Sequence, residues 1–228
     1  MIKSKRQFPD IPHFISLIEW KLPSIFRTRT KIARAQSIYD LAKIAKKKVP
    51  KVVYDYVEGS ALAEKGYDRS IDAFGRVQFT AHTLRDVSKV DPSIEIFGKK
   101  VDLPILFSPT GYTRFMHHVG EPAVAAVSEK NNLIYSLSTM GTTSPSELAS
   151  QVPGVRRWFQ LYVMQNRQDS ISVIKQAKDS GFEALILTVD TPVSGLRLRD
   201  LKNGLTIPPR IRFCLLYTSD AADEEDSV

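Results

Sequence analysis

Ala184-Leu185-Ile186-Leu187-Thr188-Val189-Asp190-Thr191-Pro192 is the stretch on which the reading of this chain turns. Its short continuous apolar run predicts a strand buried on both faces, and the run stops abruptly at hydroxyls and a carboxylate. Gly195-Leu196-Arg197-Leu198-Arg199-Asp200 follows directly and adds guanidinium groups. Three earlier segments have the same design. Residues 103–107 end in Ser108-Pro109-Thr110-Gly111, residues 133–137 end in Ser138-Thr139, and Trp158-Phe159 runs into Gln160-Leu161-Tyr162-Val163. All four predicted strands therefore carry their polar groups at the same end.

These strands recur at intervals of roughly 25 to 30 residues with a helix signal in each gap, the spacing of βα units that feed a parallel sheet. The first helix is expected after Gly120, with Pro122 early and Ala123, Val124 and Val127 turned inward. A second opens at Ser144-Pro145-Ser146-Glu147, a capping box with proline at the first helical position. A third starts near Asp169, uses Ile171, Ile174 and Ala177 as its apolar stripe and stops at Gly181. A doubly wound sheet would need a glycine-rich phosphate turn after its first strand, and Ser108-Pro109-Thr110-Gly111-Tyr112 is not one. The fold class expected is α/β: the first half of a (βα)8 TIM barrel, about four βα units, preceded by a small helical N-terminal region.

Ahead of the barrel segment, assigned to residues 101–213, two further stretches are distinguished. Residues 1–36 read as a basic extension with Pro9, Pro12 and Pro23. Residues 37–100 read as a helical pre-barrel segment. Ser37 and Asp40 resemble a capping box for a short helix with Ile38, Leu41, Ile44 and Ala45 on one face, ending before Pro50. A second helix should follow from Lys51 to Glu58, closed by Gly59, with Tyr54 and Tyr56 on different faces, so that only one of them meets a pocket. Phe74, Val77 and Phe79 are expected as packing anchors and Gly98 as a turn.

The chain has 228 residues, 43% of them hydrophobic, enough to bury a real core. A single cysteine, Cys214, gives no disulfide framework and points to a reducing compartment, hence the cytoplasm. No Cys/His cluster has metal-ligand spacing, and His117-His118 are adjacent rather than three or four apart, so no metal is expected. Residues 1–51 hold thirteen Lys and Arg against three acids, an excess of ten in a chain whose net charge is +7. This front is a solvated leader, a peripheral contact for an anionic membrane surface or a contact for nucleic acid, the first two favoured over the third. Phe14-Ile15-Ser16-Leu17-Ile18 is interrupted by Glu19 and Lys21, so neither a membrane span nor a secretory signal is supported.

Tyr54-Asp55-Tyr56, Ser108-Pro109-Thr110-Gly111, Ser138-Thr139, Gln160-Leu161-Tyr162, the Thr188 to Pro192 run and Gly195-Leu196-Arg197-Leu198-Arg199-Asp200-Leu201-Lys202-Asn203-Gly204 stand in this order along the chain. Together they resemble the FMN-dependent 2-hydroxy-acid dehydrogenases and oxidases, the family of L-lactate dehydrogenases, glycolate oxidase and mandelate dehydrogenase. The resemblance runs from about residue 37 to about residue 213. It implies FMN as cofactor, held by Pro109, Thr110 and Gly111 partly through backbone and by Ser138, Gln160 and Thr188 along the isoalloxazine edge. It implies that Tyr56, Tyr162 and Arg197 bind the carboxylate and hydroxyl of a small 2-hydroxy acid, with Tyr162 at the reacting group. L-lactate is the substrate expected, and the complete enzyme is expected to be a homo-oligomer passing electrons to a quinone, a cytochrome or oxygen.

Those roles also suit the side chains themselves. Short hydroxyl and amide groups on rigid strand ends match the alternating donors and acceptors of a flavin's pyrimidine edge. An arginine fork gives bidentate hydrogen bonds to a carboxylate, and a phenol can supplement it. Taken one at a time, Ser138 and Thr188 could merely satisfy strand ends, Tyr56 could be packing, and Arg197 a surface charge. Asp190 and Asp200 read as structural partners for backbone or nearby arginines. The resemblance further implies a histidine base, a second carboxylate-binding arginine, a lysine near the flavin and the phosphate-binding loops, all on later barrel strands that this sequence does not reach. None of His13, His82, His117 or His118 matches the base, so the 228 residues alone are expected to be an inactive fragment. The tail 214–228, with five acids in its last nine residues, reads as non-native or read-through sequence. Rival readings are an oxidase or monooxygenase of the same fold, a flavin-dependent isomerase, or a basic membrane- or nucleic-acid-binding module without catalysis. The strand-end chemistry favours the enzyme, with no nucleic-acid partner.

Overall fold

The computed structural model describes residues 31–190, 193 and 195–205. The first thirty residues, Thr191, Pro192 and the tail read as non-native lie outside the described residues. The chain divides into two compact units, Met1–Lys48 and Val49–Val228. In the first, helix α1 (Ile38–Lys48) is capped as its sequence predicts. Ser37 Oγ donates to Asp40 Oδ2 at 3.1 Å, and the Asp40 backbone N–H donates to Ser37 Oγ at 3.2 Å.

The second unit opens with α2 (Lys51–Glu58), Pro50 standing at its N-cap, and α3 (Lys65–Gly75). A hairpin follows, β1 (Ile94–Ile96) paired antiparallel with β2 (Lys99–Val101), turning at Gly98 with φ +70°, a backbone region that glycine adopts at little cost. The repeating part then runs β3 (Leu106–Thr110), α4 (Glu121–Lys130), β4 (Ile134–Ser138), α5 (Pro145–Gln151), β5 (Arg156–Leu161), α6 (Arg167–Asp179) and β6 (Ala184–Leu187). A short α7 (Leu198–Lys202) follows. Strands β3 to β6 pair parallel, and their order in the sheet is their order in sequence. A doubly wound sheet reverses that order at its switch point, whereas successive barrel strands do not. The α/β barrel topology expected from the strand spacing is the one observed.

The period of two along the strands sorts the side chains. Tyr135 and Leu137 of β4 and Phe159 and Leu161 of β5 meet Ala125 of α4, Leu148 of α5 and Ala177 of α6 in the buried core. Phe159 and Leu137 are at most 2% exposed, and each contributes roughly 1.5 to 3 kcal/mol by leaving water. Ser136, Ser138, Trp158 and Gln160 alternate with them and belong to the opposite face of the sheet. The hairpin packs there at the strand N-termini: Phe97 lies 5.6 Å from Trp158 between ring centroids. Arg156 Nη2 donates to Ile96 O at 3.0 Å and to Glu183 Oε2 at 2.9 Å, and Lys99 Nζ reaches Glu183 Oε1 at 2.6 Å. Polar chemistry is thereby left to the other end of the strands.

Several local expectations are corrected. Strand β3 begins three residues later than 103, so Ser108, Pro109 and Thr110 lie within it rather than beyond it. Strand β6 is an edge of the described sheet, and Leu185 and Leu187 are about half exposed instead of buried on both faces. In α4 the buried positions are Glu121, Pro122, Ala125 and Ser128, while Val127 is exposed. Ile171 of α6 is exposed as well, Ser170 and Ala177 being its buried residues. Phe74, Val77 and Phe79 do not act as anchors; Phe79 is 97% exposed. Their apolar character was a correct observation, but burial depends on what lies opposite, and nothing among the described residues covers them.

Candidate active site

The C-terminal ends of β3, β4 and β5, the segment after β6 and the end of α2 converge on one cavity of about 840 Å³. Tyr56, Pro109, Gly111, Ser138, Tyr162 and Arg197 line it, together with Tyr112, Met140, Leu196 and Asp200. Six residues singled out from the sequence thus meet in space. Three others, Thr110, Gln160 and Thr188, do not line the cavity, although Gln160 is bonded to the lining Ser138 and Thr188 to Gln160.

That connection is a row of hydrogen bonds across three adjacent strand ends. Ser138 and Gln160 are register partners between β4 and β5. Ser138 Oγ donates to Gln160 Oε1 at 2.9 Å, and Gln160 Nε2 donates to Thr188 Oγ1 at 2.7 Å. The Thr139 backbone N–H also donates to Gln160 Oε1 at 3.2 Å, which fixes the orientation of the amide. Thr139 Oγ1 donates to Gln160 O at 2.5 Å and accepts from the Tyr162 backbone N–H at 3.1 Å, tying the start of the Tyr162 loop to β4. Gln160 is 2% exposed, so its amide must be satisfied within the protein, and the row satisfies it.

Gly111 is required by a close approach. A Cβ added there would stand 3.0 Å from Met140 Cβ, while the Tyr112 backbone N–H donates to Met140 O at 2.9 Å. The loops after β3 and β4 are therefore in contact over the cavity. Beneath them, Glu121 is fully buried and accepts from the Thr142 backbone N–H at 2.6 Å and from Thr143 Oγ1 at 2.7 Å. Burial alone would raise its carboxyl, but these hydrogen bonds outweigh it and hold the group below the ordinary glutamate value. Arg114 Nη1 donates to Thr142 O at 3.1 Å and Nη2 pairs with Glu147 at 2.7 Å, which binds the β3 loop to α5.

Arg197 precedes α7 and closes the cavity from the opposite side. Its Nε donates to Asp200 Oδ2 at 2.5 Å, its Nη2 donates to the Tyr56 carbonyl, and its guanidinium carbon lies 5.0 Å from the Tyr56 ring centroid. Residues far apart in sequence are held together by a set of polar ties between α2 and α7. Arg199 reaches Glu58 at 3.2 Å and Glu64 at 2.5 Å, Asn203 Nδ2 donates to Asp55 at 2.8 Å, and the Leu62 backbone N–H donates to Leu196 O at 2.7 Å. Tyr56, not Tyr54, faces the cavity; Tyr54 Oη donates to Glu58 at 3.0 Å. Burial raises the Tyr56 phenol against the pull of Arg197, so at neutral pH it is a protonated donor.

Tyr112 is a lining aromatic to which the sequence reading gave no role. It adopts φ +54°, stacks on Phe115 at 5.1 Å and meets Tyr56 edge-on at 6.2 Å. A tyrosine in a loop carries no periodic signal, and only its place next to Gly111 could have drawn attention to it. Among the described residues that line the cavity, Arg197 is the one cation, and no histidine is among them. No group of His, Cys, Asp and Glu among the described residues is placed to hold a metal ion.

The hydroxyl and amide row, the glycine at the loop contact and the size of the cavity fit the ring of the flavin expected from the sequence. Over residues 45–227 the chain matches the family model described as FMN-dependent dehydrogenase. It is 35% identical over 206 residues to a Mycobacterium tuberculosis protein provisionally named L-lactate dehydrogenase, covering 90% of this chain and 50% of that one. Glycolate oxidase 3 of Arabidopsis thaliana is 40% identical over 172 residues, covering 75% of this chain and 46% of its own length. A solved structure, a soluble mutant of the membrane-associated (S)-mandelate dehydrogenase from Pseudomonas putida, superposes with a TM-score of 0.72 at 36% identity, covering 78% of this chain and 51% of that one. The chain spans about half the length of the curated relatives it matches.

Proposed function

The chain belongs to the FMN-dependent dehydrogenase family, and on that premise we propose that it forms the ring-edge and carboxylate-binding side of a site that oxidises a small L-2-hydroxy acid, with L-lactate as substrate. The observation that carries this reading is the meeting of Arg197, Tyr56 and Tyr162 in one cavity with Ser138 at the end of the Gln160–Thr188 row. FMN, when bound, supplies the two-electron acceptor for the hydrogen on the substrate's C2. Ser138 would meet its pyrimidine edge, with Gln160 and Thr188 behind it holding the Ser138 hydroxyl in place, and Gly111 and Pro109 would let the ring approach the β3 loop.

Arg197 would receive the substrate carboxylate by charge-assisted hydrogen bonds, and the protonated Tyr56 would add one more. Tyr162, on the cavity wall, would bond the substrate's hydroxyl. These contacts fix C2 relative to the ring, and orientation of this kind is a large part of what an active site contributes. The described residues of the cavity supply binding and orientation, and the step that removes the hydroxyl proton is assigned to none of them. We favour L-lactate over larger acids because Met140 and Tyr112 line the wall beside Gly111, and a mid-sized thioether suits a methyl substituent. The excess of positive charge in residues 1–51 supports peripheral contact with an anionic membrane.

The test is to express the protein from its complete gene, record its flavin absorption and follow bleaching of that absorption under anaerobic conditions with L-lactate, glycolate and (S)-mandelate. Bleaching is expected with all three acids, fastest with L-lactate. A protein that carries FMN and is bleached by none of them would overturn the reading, and a clear preference for mandelate would overturn the choice of lactate.

A further inference from the structure

The pairing of Arg197 with Asp200 raises an electrostatic question. A carboxylate in contact with a guanidinium cancels much of its charge and so weakens its pull on an anion in the cavity. Asp200 is nonetheless 7% exposed and bonded to Nε at 2.5 Å, and its second oxygen, Oδ1, is buried with no partner among the described residues. The hydrogen bonding of this carboxylate is thus spent on Arg197 alone. Its backbone is anchored too: the Leu205 N–H donates to Asp200 O at 2.9 Å, and α7 is tied to α2 through Arg199 and Asn203.

The donor count on Arg197 indicates what Asp200 accomplishes. A guanidinium has five N–H groups and can meet a carboxylate by its Nε/Nη side edge or by its Nη1/Nη2 end edge. Here Nε is taken by Asp200 and one Nη2 N–H by the Tyr56 carbonyl. Among the described residues both N–H groups on Nη1 and one on Nη2 carry no hydrogen bond, and the end edge is formed by one N–H of each nitrogen.

We propose that Asp200 is a positioning residue that closes the side edge of Arg197 and so presents its end edge to the substrate carboxylate. The proposal rests on the reading that Arg197 receives that carboxylate. Asp200 gives up some anion attraction in return for a single guanidinium orientation, and a single orientation sets where C2 lies over the flavin ring. Asp200 does not touch the substrate. Its effect passes through Arg197.

The experiment uses the protein expressed from its complete gene and loaded with FMN, and it reads L-lactate turnover and the affinity for pyruvate, which carries the carboxylate but no transferable hydrogen. Asp200→Ala should lower kcat/KM by roughly tenfold or more in the parent, but by no more than about twofold in an Arg197→Lys background, where there is no edge to select. Asp200→Asn keeps an acceptor for Nε and removes the opposing charge, so pyruvate should bind about two- to fivefold more tightly than in the parent. A tenfold loss that persists in the Arg197→Lys background would mean a merely structural role and overturn the proposal. So would a folded Asp200→Asn protein with unchanged pyruvate affinity, a criterion that stands even if Asp200→Ala does not fold. A parent protein that turns over no 2-hydroxy acid would overturn the functional reading itself, and this proposal with it.

Discussion

At the scale of single residues, the proposed chemistry rests on Arg197 and on the side chains that line the wall across from it. Arg197→Lys keeps the positive charge and loses the planar fork together with its bonds to Asp200 and Tyr56. Steady-state assays on the complete protein should show kcat/KM for L-lactate reduced by about 1 to 3 kcal/mol of transition-state binding, with FMN content unchanged. Met140 lines the cavity and is 38% exposed, which places it in the site and not in the core. Met140→Ala should shift the ratio of kcat/KM values toward (S)-mandelate relative to L-lactate, because a shorter side chain leaves room for a phenyl group. An unchanged ratio would remove Met140 from the substrate's path.

At the scale of elements, α4 supports the cavity from below through one side chain. Glu121 at its first turn takes hydrogen bonds from the loop between β4 and α5, the loop whose first residues, Thr139 and Met140, form part of the site. Its carboxyl is held below the ordinary value near 4.5, so the stabilisation it brings is complete above that value and is lost as the pH falls through the depressed one. Glu121→Gln should therefore lower the melting temperature at neutral pH and flatten part of its fall as the pH drops below the ordinary glutamate value. Melting curves across that range are the check, and a slope equal to the parent's would contradict the account. Removing the acceptor altogether, by Glu121→Ala, leaves buried Thr143 and the Thr142 N–H unsatisfied and should cost on the order of 3 kcal/mol in urea unfolding.

At the scale of the whole molecule, the described sheet has β3 and β6 as its edges, and both present apolar side chains. Leu106 on β3 and Leu185 and Leu187 on β6 are substantially exposed, as are Ile105, Phe79 and Leu84. Unpaired strand edges with apolar residues beside them favour association. The 228-residue chain expressed alone is expected to self-associate: size-exclusion chromatography coupled to light scattering should give a mass that rises with concentration. A monomer at all concentrations would show these edges to be protected. Among the described residues no helix is long and apolar enough to cross a membrane.

Much of the architecture was legible along the chain, for a local reason. A strand that ends in Ser138, Gln160 or Thr188 announces itself by an apolar run that stops abruptly, and helix starts at Ser37 and Ser144 are written in capping residues a few positions apart. Such signals need only neighbours in sequence. The faces of α4 and α6 were misjudged at Val127 and Ile171 because an apolar residue is buried only if another element arrives opposite it. The site divides the same way. Sequence alone determined which residue types stand at the strand ends, and hence the order β3 to β6 and the row of polar groups it creates. Tertiary structure alone decided that Arg197 meets Tyr56 from the far end of the chain, that Tyr112 joins the wall, and that Asp200 takes one edge of the guanidinium. Those contacts depend on α7 docking against α2 through Arg199 and Asn203, a long-range closure that no local pattern encodes.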